Sequence, residues 1–317
     1  MQLRPLGRTG LQIAPIVFGG NVFGWTADES RSFELLDAFV DAGFNAIDTA
    51  DVYSRWVPGH QGGESETVIG RWLRANPARR RQVLLFTKVG MDMGDEHKGL
   101  GKLWIERAVE DSLRRLDTDV IDLYQSHRPD PETPIEETLA TYGELIRAGK
   151  VRAIGASNFG AARLAESVAT SERTGLPRYE SLQPLYNLYD RAEYEAELEP
   201  LCVKHGIGVI GYYSLAAGYL TGKYRSEQDL AKSVRGSRTA VKYMTDRGRR
   251  ILAALDEAAA RHKATPAQVA LAWLMARPAV AAPIASATTV EQLDELVGAT
   301  RLRLDRETIE RLDRASA

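Results

Sequence analysis

Four side chains in the first half of this 317-residue chain together carry what is needed to protonate a carbonyl oxygen: the carboxylate of Asp48, the phenol of Tyr53, the ammonium of Lys88 and the imidazole of His127. A free phenol titrates near about 10 and is a poor acid at neutral pH. A cation beside it favours the phenolate and so makes the proton easier to release. Lys88 is the candidate cation, Asp48 the group that holds it, and His127 a donor able to orient the carbonyl oxygen. Taken singly these residues signal little, because an Asp after a strand is commonly a cap, a Lys commonly solvated and a His commonly structural. Their shared placement distinguishes them. Apolar runs at 44–47, 83–87 and 120–126 lead into Asp48, Lys88 and His127, and Tyr53 follows Asp48 by five residues on the next loop. Chemistry at the ends of successive strands is the arrangement of a parallel α/β barrel.

The elements that must position these groups can be read in the same way. An opening hairpin turns at residues 7–10, where two glycines supply the bend. Strand-like runs follow at 16–18, 46–48, 84–87, 121–124, 153–156, 181–183, 209–212 and 282–284, separated by amphipathic stretches. In "SRSFELLDAFVDAG" (30–43), Phe33, Leu35, Leu36 and Val40 share a stripe that Gly43 ends. "PIEETLATYGELIRAGK" (134–150) opens with Pro134 and acids and closes with Arg147 and Lys150, as the helix dipole favours. Eight strand–helix units predict an α/β fold, a (β/α)8 TIM barrel with a short N-terminal β-hairpin, occupying 1–317 as one domain. A doubly wound open sheet would carry a glycine-rich phosphate loop before its first helix. "FGGNVFG" (18–24) lacks both that spacing and a following helix pattern.

Composition narrows the partners. A hydrophobic share of 44% suits a full core, and a net charge of −2 offers no electrostatic basis for binding nucleic acid or an anionic membrane. No apolar run approaches about 18 residues and no leader pattern stands at the start, so a cytoplasmic location and no membrane partner are expected. The single cysteine, Cys202, reads as a small buried hydrophobe. A metal site is not expected, because His97, His205 and His262 fall in loop or helix contexts. The segment 224–250 carries Arg225, Lys232, Arg235, Arg238, Lys242, Arg247, Arg249 and Arg250 with few apolar positions. It reads either as a solvated loop or as a flap over a phosphorylated cofactor.

The strings "NAIDTADVY" (45–53), "LLFTKVG" (84–90) and "DLYQSH" (122–127) resemble the catalytic signatures of the aldo-keto reductase superfamily. "IGASNF" (154–159), "LQPLYNL" (182–188), "LTGKY" (220–224) and "VEQLDELVGA" (290–299) agree in order along nearly the whole chain. The resemblance implies that Asp48, Tyr53, Lys88 and His127 form the family's tetrad. It also implies that a small-molecule aldehyde or ketone is reduced to an alcohol with hydride from a nicotinamide cofactor. The alternative on the same scaffold is a cofactor-binding regulatory protein like the channel-associated β subunits. Retention of all four tetrad residues favours the enzyme.

By the same resemblance, Gly20 and Asn21 contact the cofactor after the first strand, Ser157, Asn158 and Gln183 hold the carboxamide, and Tyr212 stacks on the nicotinamide ring. Tyr213 and Ser214 stand where the family commonly has Ser and Pro. The backbone from Leu215 to Gly218, with Lys223, would meet the pyrophosphate, and Ser286, Thr288, Gln292 and Glu295 would meet the adenosine end. Thr288 occupies the place of a basic residue frequent in members selective for the 2′-phosphate, and the family's Glu-Asn pair appears as Glu295 and Leu296. NADP(H) is the expected cofactor, with NAD(H) the alternative. The link "SRWVPGHQG" (54–62) is longer than the family's and carries Arg55, Trp56 and His60. Trp56 and Trp25 are candidate walls of an apolar or sugar-like substrate pocket. No feature of the sequence specifies an oligomeric state.

Overall fold

The computed structural model describes residues 2–94 and 97–317; the side chain of Arg235 lies outside what is described. Strands β1 (Arg4–Pro5) and β2 (Gln12–Ile13) pair antiparallel, with Arg4 opposite Ile13. Gly7 turns the hairpin at φ 53°, and a side chain there would begin 2.1 Å from the carbonyl oxygen of Glu180, so only glycine fits. The hairpin lays Leu6, Leu11 and Ile13 against Val17, Ala46, Phe86, Leu123 and Ala153. It plugs one end of the barrel.

The units then alternate as expected: β3 (Val17–Gly19), α1 (Glu29–Asp41), β4 (Ala46–Asp48), α2 (Glu64–Ala75), β5 (Leu84–Val89), α3 (Lys102–Leu116), β6 (Ile121–Ser126), α4 (Ile135–Arg147), β7 (Val151–Ser157), α5 (Ala161–Thr174), β8 (Ser181–Gln183), α6 (Glu199–His205) and β9 (Gly208–Val209). After β9 come α7 (Val234–Arg238), α8 (Asp246–His262), α9 (Pro266–Met275), β10 (Ile284–Ala285), α10 (Val290–Ala299) and α11 (Arg306–Ser316). The eight strands β3 to β10 pair in parallel in one sheet, with β10 beside β3. The ring closes between β9 and the residues before β10: Val209 N–H donates to Ala279 O, Ala281 N–H to Val209 O and Ile284 N–H to Gly211 O, each at 2.8 Å. This is the (β/α)8 barrel the sequence predicts.

Two apolar layers build it. One lies between strands and helices, and includes Leu35, Leu36 and Phe39 of α1, Val109 and Leu113 of α3 and Leu139 and Tyr142 of α4. The other is the interior layer above the hairpin. Strand ends differ from the sequence reading where pairing outlasts or underruns the apolar run. β5, β6 and β7 extend two, two and one residues further, taking in Lys88, Gln125 and Ser157. β9 is shorter than 209–212 because regular pairing stops at Val209, leaving only an isolated bridge between Leu185 and Tyr212.

The basic segment after β9 is not a structureless loop. It folds into short helical turns, Glu227–Lys232 and Ala240–Tyr243 flanking α7, and buries Tyr224, Ala240 and Tyr243. Tyr243 OH donates to Asp190 Oδ2 at 2.6 Å and Arg225 forms a two-pronged pair with Asp256, so the segment is tied to the barrel. Among the described residues no helix is long and apolar enough to cross a membrane. Cys202 is buried on α6, as read.

Candidate active site

Side chains alternate between the two faces of a strand. Ala46, Phe86 and Leu123 belong to the inner apolar layer, so the residues two further on, Asp48, Lys88 and Gln125, also point inward, one layer nearer the mouth. Register brings them together: Asp48 pairs with Phe86 and Lys88 with Gln125. Lys88 and Asp48 are 0% and 2% exposed and form an ion pair with Nζ to Oδ2 at 2.6 Å. The ammonium donates two further hydrogen bonds, to Thr49 O at 2.7 Å and to Tyr53 OH at 3.3 Å, which uses all three of its hydrogens. The other carboxylate oxygen of Asp48 accepts from Gln125 Nε2 at 3.0 Å and Gln183 Nε2 at 2.9 Å. A side chain at Gly155 would meet Ser181 Oγ at 2.2 Å and Gln125 Cγ at 3.2 Å, so glycine there makes room for this network.

His127 stands just beyond β6, with its N–H bonded to Val89 O, and its ring centroid is 6.0 Å from that of Tyr53. Its Nδ1 is buried without a hydrogen-bond partner. The structure therefore brings all four sequence-predicted residues to one mouth. Burial holds the imidazole well below its usual range, with Lys88 and Arg128 adding to the effect, so His127 is neutral and presents one N–H. Burial disfavours the charge on Lys88, yet Asp48 and Tyr53 raise its pKa overall and it stays an ammonium. For Tyr53 the sequence predicts a phenol made more acidic by the lysine. In the structure burial outweighs that pull and the phenol is raised overall, with Asp48 adding to the rise. Tyr53 is thus held protonated at neutral pH, with the ammonium beside its hydroxyl.

The residues expected to hold a nicotinamide cofactor line the other half of the mouth. Ser157 pairs with Gln183 across β7 and β8, and its hydroxyl donates to Gln183 O at 2.9 Å. Asn158, at φ 58°, donates from Nδ2 to His127 O and accepts from Tyr212 OH at 2.7 Å. Tyr212 is thereby fixed against the barrel layer, whereas Tyr213 is 43% exposed. Gly20 sits in a helical turn after β3, where a side chain would meet Asp48 O at 3.0 Å, and Asn21 Oδ1 accepts from Ser286 Oγ. Leu215 leads into Ala216, Ala217 and Gly218, which turn at φ 49°, 56° and 89°. A side chain at Gly218 would meet Lys223 Cε at 3.0 Å, so the glycine leaves a trough beside an exposed ammonium. Thr288 donates to Gln292 Oε1 through both its N–H and its hydroxyl. Glu295 is half-buried on α10, and its carbonyl accepts from Gln268 Nε2. Amides, hydroxyls and a small-residue trough at one end of the barrel suit an elongated, phosphate-bearing ligand with a carboxamide.

Aromatic rings flank Tyr53 on its outer side: Trp56 lies edge-on to it at 5.5 Å, and Trp25 edge-on to Trp56 at 5.6 Å. Sequence reasoning missed Gln125 and Asp51. Gln125 was signalled by its position two residues from Leu123 on the same strand face. Among the described residues, no group of three or more His, Cys, Asp or Glu side chains is arranged to hold a metal ion.

With this geometry in place, comparison with known proteins decides the family. The model of the aldo/keto reductase family matches residues 15–317. The chain belongs to the aldo/keto reductase family. A Bacillus subtilis (strain 168) protein named as the uncharacterized oxidoreductase YrpG is 35% identical over 320 residues, covering 99% of this chain and 95% of the relative. The aldo-keto reductase AFTS1 of Alternaria alternata is 33% identical, covering 95% of this chain and 88% of the relative. A protein of Arabidopsis thaliana named as a probable voltage-gated potassium channel subunit beta is also 33% identical, over 93% of this chain and 90% of its own length. Membership implies oxidoreductase activity, and the family typically uses nicotinamide cofactors.

Proposed function

We propose that this aldo-keto reductase reduces a small aldehyde or ketone to an alcohol, with Tyr53 as the general acid. The observation that carries this reading is the buried Asp48–Lys88 pair, whose ammonium lies 3.3 Å from Tyr53 OH. A bound reduced nicotinamide supplies the hydride that the carbonyl carbon receives. Tyr53 OH gives its proton to the carbonyl oxygen, completing the alcohol. Lys88, pinned by Asp48, stabilises the phenolate left behind, and neutral His127 offers an N–H to the same oxygen.

A bound nicotinamide cofactor would have its carboxamide held by Ser157, Asn158 and Gln183, its ring by Tyr212 and its pyrophosphate by the Leu215–Gly218 backbone with Lys223. Asn21, Ser286, Thr288, Gln292 and Glu295 would hold the adenosine end. NADP(H) would be the expected form, and the hydroxyl that stands at Thr288 in place of a cation would let NAD(H) be accepted as well. Trp25 and Trp56 wall an apolar or aromatic substrate.

A binding-module reading draws support from the relative named as a channel subunit. Titration with NADPH and NADH, followed by quenching of tryptophan fluorescence, combined with turnover on a panel of aldehydes, tests both readings. Tight NADPH binding with aldehyde-dependent oxidation supports the reductase. Tight binding without turnover supports the binding module, and binding of neither form overturns both.

A further inference from the structure

Behind the loop that carries Tyr53 lies an open cavity of about 540 Å³, lined by residues between Asp51 and Gly62, by Met93 and His97, and by one face of α3. None of the tetrad lines it. It holds an unusual number of buried polar atoms without partners: both carboxyl oxygens of Asp51, Nδ1 of His60 and Nε1 of Trp104. Such groups are costly to bury and point to a missing partner. Asp51, 2% exposed, faces this space.

The chemistry of the lining is that of donors. Trp104 can only donate, and three guanidiniums, Arg55, Arg107 and Arg115, reach the same cavity. Arg107 donates to His97 Nε2 at 2.9 Å and Arg55 to Asp92 O at 2.5 Å. Among the described residues neither has an ion-pair partner, and both side chains are solvent-exposed. Arg115 keeps Glu66 at 2.7 Å, and Asp111 at the rim is paired with Arg114. Burial, reinforced by Glu66 and opposed by Arg115 and Lys88, pushes the Asp51 carboxyl up to about 8. At neutral pH it therefore offers an O–H and does not repel an anion. His97 stacks on Trp104 at 4.8 Å and gives the site a flat wall.

We propose that this cavity binds a small oxyanion, a metabolite carrying a phosphate or carboxylate group, between Arg55, Arg107 and Arg115. Guanidiniums match both groups in two-pronged geometry, and the volume suits a small metabolite rather than a bare ion. The site shares its loop with Tyr53 but is separate from the carbonyl-reducing mouth, so the inference stands independently of the reductase reading.

Calorimetric titration of the full chain with inorganic phosphate, and separately with succinate, tests it. Saturable binding of either is expected, weakened about tenfold or more by Arg107→Met and unchanged by Lys223→Met. Arg55→Met, on a different element, provides a second variant with the same expected loss. Phosphate alone or succinate alone would assign the group recognised, and either upholds the site. Absence of saturable binding of both anions overturns it. So does binding that Lys223→Met abolishes and Arg107→Met leaves intact, because the anion would then sit in the cofactor trough.

Discussion

Asp48 and Asp51 are three residues apart and equally buried, each 2% exposed, yet their surroundings are opposite. Asp48 ends a strand and points into the barrel, where β5, β6 and β8 deliver Lys88, Gln125 and Gln183 to its two oxygens. Asp51 lies on the loop beyond and turns outward toward α2 and α3, where no described side chain donates a hydrogen bond to its carboxyl oxygens. A barrel interior is crossed by neighbouring strands in register, so a polar group there finds partners from several directions. A loop behind it meets only what the surrounding helices happen to present. One aspartate is part of a closed hydrogen-bonded network around a buried ammonium, and the other lines an open cavity.

Removing the cation from the closed network is expected to have the largest effect. Lys88→Met leaves Asp48 buried without its counter-charge and should cost about 3–5 kcal/mol of stability, read by urea unfolding at neutral pH. A loss below about 1 kcal/mol would show that the two glutamines suffice.

The open aspartate should respond differently. In the folded chain its carboxyl is raised to about 8, against about 3.9 when unfolded. The native state therefore holds a proton that the unfolded state releases, and this contribution is full below about 4 and lost as pH rises through about 8. Asparagine carries no such proton. Relative to the parent, Asp51→Asn should gain stability between pH 5 and pH 8, on the order of 1 kcal/mol per pH unit. Unfolding curves at both pH values check this, and a difference that does not change with pH would place the carboxyl in an ordinary environment.

The smallest effect is expected at the rim. Trp56 stacks edge-on against Tyr53 and Trp25, contacts worth about 0.5–1.5 kcal/mol beyond buried area. Trp56→Ala should raise KM for an aromatic aldehyde several-fold and leave kcat nearly unchanged. A fall in kcat alone would mean that Trp56 positions Tyr53 rather than substrate.

The contrast also explains what could be read from the sequence. The barrel and the convergence of Asp48, Tyr53, Lys88 and His127 at its mouth were legible because an apolar run followed by a chemically capable side chain is a local signal repeated strand after strand. Gln125 carries the same signal through its spacing from Leu123. The cavity around Asp51 was not legible, because it depends on three distant segments. On α3, Trp104, Arg107, Ala108, Asp111 and Arg115 recur at helical spacing, but a polar stripe of this kind looks like a solvated face. The helical turns of segment 224–250 were not legible, because they are too short to show periodicity and the buried Tyr224 and Tyr243 are isolated apolar residues in sequence.

The central claim is that Tyr53 donates the proton while the network around Asp48 holds Lys88 beneath it. Tyr53→Phe removes one oxygen and leaves the Asp48–Lys88 pair and the Leu215–Gly218 trough in place. Steady-state turnover and NADPH titration of this variant should show kcat reduced by roughly a hundredfold or more with cofactor affinity unchanged. Undiminished turnover would contradict the account, and so would a loss of activity that merely follows a loss of NADPH binding.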